Sequence, residues 1–312
     1  MQLLRDDFSP FVGESVLTIG NFDGVHRGHQ ALINHVHDRA AALGVKSALI
    51  TFDPHPATVL RPHGPPPLLT TTAQKIDLLE AAELDLLGLL TFNRALMETR
   101  AADFMQQLHN ALRPREIWIG SDFAMGYKRE GDVAFMQAWG EPHGIRVDSL
   151  PLLSDGGEII SSSRIRAALA AGAMDEAARL LGRAVTLGGV VVHGAKRGRT
   201  IGYPTANVVP PATLALPADG IYAGYTWLAD GQRLPSAINV GVRPTFDDDV
   251  ARNVESYILD WTGDLYDQWI TIEFTHYLRP EAKFDSLEAL IAQIDADVAE
   301  TRTLLHVEVM ER

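Results

Sequence analysis

Residues 16–33 read as an apolar strand, a tight glycine-containing turn, two histidines three residues apart, and the start of a helix. No other stretch constrains this chain as much. A strand that turns straight into a helix brings backbone N–H groups and the positive helix end to one point, where a phosphate can sit. His26 and His29 add donors able to follow negative charge as it builds on that phosphate. Gly28 stands between them without a side chain, so a ligand can approach the backbone closely. Gly20, Asn21, Phe22 and Asp23 lead into the same turn and would meet the nucleotide. The chemistry implied is attack on an α-phosphate with pyrophosphate leaving. A lone H-x-x-H pair is commonly a surface or metal-ligand coincidence; the strand–turn–helix setting is what favours nucleotide chemistry here.

The alternation continues through the first half. Strands are expected at 16–20, 45–52, 86–92, 116–120 and 145–150, and helices at 29–43, 73–84, 101–112 and 132–139, the first stopped at Gly44. This order implies a doubly wound, Rossmann-like parallel sheet with helices on both faces and ligands at the carboxyl ends of the strands. The proline-rich stretch 61–67 reads as a loop within it. Helices near 164–171 and 175–181 close this half, and the character changes at Gly182. Strand-like segments at 185–193, 221–228, 236–240, 254–261 and 269–275, separated by Gly, Pro and Asp, then predict a Greek-key antiparallel β-barrel. A last helix over 286–305 carries Leu287, Leu290, Ile291, Ile294 and Val298 at helical spacing. Two domains are expected, 1–182 and 183–312, which suits a chain of 312 residues.

The chain carries 27 basic and 40 acidic residues, a net charge of −13, which argues against nucleic-acid and membrane surfaces. The same charge repels phosphates, so cations must gather locally and a divalent ion must arrive with the nucleotide. Residues 188–212 hold no acidic residue, while Lys196, Arg197 and Arg199 fall together. The absence of cysteine excludes disulfides and thiolate zinc sites. No apolar run is long enough for a bilayer, and residues 1–7 lack the pattern of a secretory signal, so the cytoplasm is the expected location. Small molecules are the expected partners, and self-association, if any, is expected to be weak.

Three further segments converge on the edge of the first sheet. Thr51-Phe-Asp-Pro-His-Pro56 follows the second strand and sets Asp53 and His55 at its end; a proline-locked turn is the plainer reading. Gly120-Ser-Asp-Phe-Ala-Met-Gly126 offers Asp122 to a ribose, a base or a second substrate. Ile160-Ser-Ser-Ser-Arg-Ile-Arg166 starts a helix with hydroxyls that cap it or bind phosphate. Arginines near a helix N-terminus oppose the dipole and call for an anion. Arg166 is assigned to the β- and γ-phosphates, and Arg164 is expected at the surface.

In the second half, glycines 188, 194, 198 and 202 precede Tyr203-Pro-Thr-Ala-Asn207. A strand thus runs into a basic, glycine-rich loop and a rigid proline turn. Its amides and cations can cradle a polyphosphate, and Thr205 and Asn207 offer oxygen ligands suited to Mg²⁺. Glu255 alternates with Tyr257, Leu259 and Trp261 on one face of its strand. It is either a strand-end carboxylate facing solvent or a general base for an alcohol attacking a γ-phosphate.

Together GNFDGVHRGH, TFDPHP, SDFAMG and SSSRIR resemble the adenylyltransferase half of the bacterial bifunctional riboflavin kinase/FAD synthetases. The G-x-x-x-G…G-Y-P-T-A-N pattern resembles the flavokinase signature of the same family. Segments 216–222, 238–246 and 283–285 also match it, in the family's order. Three positions depart from the family pattern: Ser163 for threonine, Met125 for phenylalanine and Asp267 for glycine. The resemblance implies riboflavin, FMN and FAD as substrates and products, ATP as co-substrate and Mg²⁺ as cofactor. It implies FMN contacts from Phe52, Asp53, His55 and Asp122, and triphosphate contacts from Ser161 and Ser162 beside the turn. For the kinase it implies ATP and flavin contacts from Gly194, Lys196, Gly198, Arg199, Gly202, Pro204 and Asn239. It also favours Glu255 as the base. Other nucleotidyltransferases acting on a phosphopantetheine have no use for a Pro-Thr-Ala-Asn turn, and a degenerate flavin sensor would not keep every reactive position.

Overall fold

The strand before the histidine turn, Ser15–Ile19, is buried along its whole length, as a strand covered on both faces must be. A computed structural model of the chain describes residues 1–6, 13–61, 63–194, 197–243 and 251–307, and of residues 197, 199, 243 and 251 the backbone. Contacts divide the chain into two units, 1–162 and 163–312.

The first unit opens with β1 (Gln2–Arg5), β2 (Ser15–Ile19), α1 (Arg27–Leu43), β3 (Lys46–Asp53), α2 (Pro56–Leu60), α3 (Thr72–Glu80) and β4 (Leu86–Thr91). There follow α4 (Arg94–Glu98), α5 (Ala101–Leu112), β5 (Pro114–Gly120), the short pair β6 (Ala124–Met125) and β7 (Gly131–Asp132), α6 (Val133–Gly140) and β8 (Arg146–Leu150). A second short pair, β9 (Ser154–Asp155) and β10 (Glu158–Ile159), ends it. Six parallel strands lie in the order β1-β4-β3-β2-β5-β8. The chain order reverses between β2 and β5, the switch point where such sheets open a crevice. Alternate residues divide between the faces. Val16 and Leu49 pack against Leu32, Ile33, Val36 and Leu79 of α1 and α3. Leu17, Ile19 and Ile50 pack against Phe104, Met105, Leu108 and Met136 of α5 and α6. Burial of each such side chain contributes about 1.5–3 kcal/mol, which fixes the start of α1 against the sheet.

The second unit comprises α7 (which begins one residue earlier, Ser162–Ala170), α8 (Met174–Leu181), β11 (Val185–Val192), α9 (Arg197–Thr200), β12 (Ala206–Val208), β13 (Gly220–Trp227), β14 (Arg233–Arg243), β15 (Ala251–Ile258), β16 (Trp269–Arg279) and α10 (Leu287–Leu304). Six strands close into an antiparallel barrel, β11-β12-β15-β14-β13-β16. The meander β13–β14–β15 with β16 returning beside β13 is a Greek key. The sequence reading puts the domain boundary after Gly182, which caps α8 at φ 72°; by contacts α7 and α8 group with the barrel, α8 against β11 and β16.

Three expectations about the elements need correction. Both β1 and β12 escape a periodicity reading, because four and three residues are too few to show an alternation. The strand expected over 254–261 stops at Ile258, since Asp260 turns left-handed at φ 55°. Those expected at 236–240 and 269–275 run on to Arg243 and Arg279.

Candidate active sites

The β2–α1 turn is built from backbone conformations that side chains seldom accept. Phe22, Gly24 and Val25 have φ of 49°, 80° and 38°. For a β-branched residue this is strained, and it persists because the surroundings dictate it. Phe22 and Val25 are buried in the core that holds α1.

His26 is the N-cap of α1, and its Nδ1 accepts from the His29 amide at 3.4 Å. In the neutral ring the proton then stands on Nε2, ready to donate to a phosphate oxygen. The two imidazoles stack, centroids 3.6 Å apart and 15° from parallel, with Phe22 5.1 Å from His29. A Cβ on Gly28 would press on the His26 ring at 3.2 Å, so the missing side chain makes room for the stack itself. His29 keeps a partly exposed edge, yet its Nδ1 is buried with no hydrogen-bond partner among the described residues. Burial first, then the neighbouring His26 and Lys75, hold the His29 imidazole well below its ordinary range. At neutral pH it is an uncharged ring at the positive end of a 17-residue helix.

Asp23 ties this turn to two other segments of the first unit. Asp23 Oδ1 accepts from the Leu69 amide at 2.9 Å, and Asp23 O accepts from Ser162 Oγ at 3.1 Å. The carboxyl end of β3 presents Asp53, whose Oδ1 accepts from Thr72 Oγ1 at 2.7 Å. His55 caps α2 through Nδ1, which accepts from the Ala57 amide at 3.1 Å. Phe52 turns into the core, edge-on to Phe92 at 5.6 Å. Asp122 is exposed just past β5, and its carbonyl accepts from Arg129 at 3.2 Å. Gly20 and Asn21 lie between β2 and the turn, a Cβ on Gly20 meeting the Phe22 ring at 3.0 Å. Ser161 precedes α7, and Arg166 stands half-buried in its second turn. Arg164 corrects the surface expectation: its side chain is 17% exposed and grips Glu176 at 2.9 and 2.7 Å. Glu176 thus supplies the anion that the helix start calls for. Met125 packs in the core, and Ser163 is exposed on α7.

On the barrel, register puts three polar residues in one row. Asn207 of β12 pairs with Glu255 of β15, and Glu255 pairs with Asn239 of β14. Glu255 Oε2 accepts from Thr205 Oγ1 at 3.0 Å and Oε1 from Asn253 Nδ2 at 3.0 Å. Asn253 Nδ2 also donates to Asn207 Oδ1 at 3.0 Å, and Asn207 Nδ2 donates to Thr205 O and Oγ1, each at 3.3 Å. Glu255 and Tyr257 share a face, as the alternation implies, and the neighbours decide which side of the barrel it is. Val254, Ser256 and Ile258 fill the barrel interior, so Glu255 lies on the outer face with Asn253 and Tyr257, and Leu259 and Trp261 fall beyond the strand.

The glycine loop packs closely on this row. A Cβ on Gly194 would stand 2.8 Å from the Asn207 carboxamide, and one on Gly198 2.2 Å from Tyr203 O. Tyr203 N donates to Gly198 O at 2.8 Å. Gly202 turns at φ 90°, ahead of the exposed Pro204. The Tyr203 hydroxyl donates to Asp295 of α10, which raises its pKa to about 12. Lys196 and the 244–246 part of the 238–246 match lie outside the described residues, as do the side chains of Arg197 and Arg199. Asp267 takes the family's glycine place at φ 62°, a conformation that aspartate tolerates.

A magnesium ion suits this donor set. Thr205, Asn207 and Glu255 offer hard oxygens, and the carboxamide oxygens of Asn239 and Asn253 are buried without a hydrogen-bond partner among the described residues. Two residues were not foreseen. Asn253 is signalled by standing two before Glu255 on the same strand face, and Lys75 by taking an apolar position four before Leu79 on α3.

Known proteins share both halves. Residues 10–164 match the FAD synthetase family and residues 181–305 the riboflavin kinase family. The bifunctional riboflavin kinase/FMN adenylyltransferase of Pseudomonas fluorescens is 40% identical over 307 residues, covering 97% of this chain and 98% of the relative. Its counterpart in Escherichia coli K12 is 36% identical, covering 90% of each. A crystal structure described as a macrolide-efflux protein from Streptococcus pneumoniae superposes with a TM-score of 0.88 at 30% identity, over 96% of this chain and 98% of that one.

Proposed function

Because the chain belongs to the bifunctional riboflavin kinase/FMN adenylyltransferase family, we propose roles for its residues in the two reactions of that family. The enzyme phosphorylates riboflavin with ATP to give FMN, then transfers AMP from a second ATP to FMN, giving FAD and pyrophosphate.

In the α/β unit the amides at the start of α1 and the His26 Nε2–H donate to the α-phosphate as the FMN phosphate attacks it. A neutral His29 ring suits this role, since it adds no fixed positive charge that would hold the pyrophosphate back. Arg166, Ser161 and Ser162 take the leaving phosphates. Gly20, Asn21, Phe22 and Asp23 seat the nucleotide, and Asp53, His55 and Asp122 wall the flavin side, while Phe52, turned into the core, supports that edge from within. In the barrel Glu255 accepts the proton of the riboflavin hydroxyl that attacks the γ-phosphate, its carboxylate aimed by Thr205 and Asn253. The loop from Gly194 to Pro204, with Lys196 and Arg199, cradles ATP, and Asn239 completes the row. Thr205 and Asn207 would hold Mg²⁺, which when bound neutralises phosphate charge. The cytoplasm is the proposed location: none of the described helices is long and apolar enough to cross a membrane.

The observation that carries the reading is the stacked imidazole pair capping α1. Incubation with riboflavin, ATP and MgCl₂, with flavins resolved over time, should show FMN first and FAD after it. His29→Ala should stop at FMN. FAD formed by that variant at the normal rate would remove the histidines from the mechanism.

A further inference from the structure

Lys75 is a cation where α3 should present an apolar side chain. It is 5% exposed and shares the buried stripe with Leu79. Stability alone favours a methionine or leucine there, because desolvating an ammonium costs several kcal/mol. The buried group is instead fully engaged. Its Nζ donates to Phe52 O at 2.8 Å, to Thr51 Oγ1 at 3.3 Å and, at a longer 3.5 Å, to Asn21 O. Thr51 Oγ1 donates to the same Asn21 carbonyl at 3.1 Å. Thr51 and Phe52 end β3, while Asn21 begins the strained turn that carries both imidazoles.

We propose that Lys75 is a positioning residue for adenylyl transfer, its ammonium tying the β2–α1 turn to the end of β3 so that His26 and His29 stand where the α-phosphate reacts. The inference rests on reading that turn as the adenylyl-transfer site. Two carboxylates face the ammonium and favour its charge, Asp53 from β3 and Asp23 from the turn, while burial lowers its pKa. Neither carboxylate is a mere counter-ion, for each also holds a neighbouring segment through Thr72 or Leu69. The charge also reaches His29, where with burial and His26 it disfavours protonation. Lys75 therefore acts twice, on the turn by geometry and on His29 by its field.

The chain has no cysteine, so Lys75→Cys creates a single alkylation site. Treatment with 2-bromoethylamine in denaturant, followed by refolding, converts it to a lysine analogue of equal length. Wild type carried through the same steps is the reference. Lys75→Met should lower kcat for FAD formation from FMN about a hundredfold while KM for ATP changes by less than about threefold. Riboflavin phosphorylation by the same preparation should be unchanged. In Lys75→Met the ionisation of His29 in the kcat pH profile should move to higher pH. Aminoethylation of Lys75→Cys should restore kcat to within about tenfold of the reference, and the untreated variant should stay inactive. The pair decides the matter even if Lys75→Met fails to fold. Normal kcat in Lys75→Met or in untreated Lys75→Cys overturns the proposal, as does aminoethylation that restores the melting temperature but not kcat. If His29→Ala is also active, the reading of the turn itself has failed; if His29→Ala is inactive, only the role of Lys75 has.

Discussion

Glu255→Gln separates basicity from shape at the barrel site. The carboxylate accepts two hydrogen bonds, from Thr205 and Asn253, and a carboxamide can meet both only by a rearrangement. Its oxygen replaces Oε1 opposite Asn253. Its nitrogen then points at Thr205 Oγ1, which must swing its own proton away and accept. That oxygen already accepts from Asn207 at 3.3 Å, so the reversal is feasible. The structural cost is that of one rearranged hydrogen bond, about 0.5–1.5 kcal/mol. A positioned general base contributes about a hundredfold to ten-thousandfold, or about 3–5 kcal/mol of the barrier. The catalytic loss should therefore dominate. FMN formation should fall at least a hundredfold, with the melting temperature lowered by no more than about 2–5 °C. FAD formation from supplied FMN, measured by chromatography on the same sample, should be unchanged. A kinase rate within about tenfold of normal would show that Glu255 is not the base.

Gly198→Ala brings a Cβ to 2.2 Å from Tyr203 O, which is backbone and cannot give way locally. Riboflavin phosphorylation should fall by about tenfold or more while FAD formation from FMN persists; a fully active kinase would show that the loop is not held this way. Asn253→Ala removes the donor shared by Glu255 and Asn207 and should lower kcat for phosphorylation by about tenfold; an unchanged rate would show that Glu255 needs no such support. Glu116 lies buried on β5, where Arg39 at 2.6 and 2.9 Å, helped by the Trp118 indole, holds its pKa at about 2. A depressed carboxyl stabilises the fold above its ordinary value of 4.5, and the benefit is lost as pH falls from there toward 2. Because Arg39 is 31% exposed, the effect is discounted to about 1–2 kcal/mol. Glu116→Gln should thus be less stable to urea at pH 7, and the gap should narrow below about pH 4.5. A gap that does not change with pH would mean that the ion pair is not its source.

How much was legible depended on how local the cause was. Most of the first sheet could be read because its apolar strands and longer helices stand out locally, as in α1 and β3, whereas the four-residue β1 could not. The histidine turn could be read because its glycines, imidazoles and helix start are neighbours in the chain. β12 could not, since its existence comes from pairing with β11 and β15 rather than from its own residues. The side of the barrel that Glu255 takes was not legible, because alternation tells two faces apart without saying which one the barrel encloses. Arg164 looked exposed until Glu176 came to it from the next helix.

The sequence by itself therefore determined the order of the longer elements, the two glycine-containing turns proposed to bind phosphate and the reactive residue types. Those follow from local steric preference and the spacing of apolar side chains. Only the tertiary structure decided which residues share a site: closure of the barrel lines Asn207, Glu255 and Asn239 across three strands, and docking of α3 buries Lys75 behind the imidazoles. The reason is that register and burial arise from contacts between distant segments. No single stretch of chain carries the free energy that sets them.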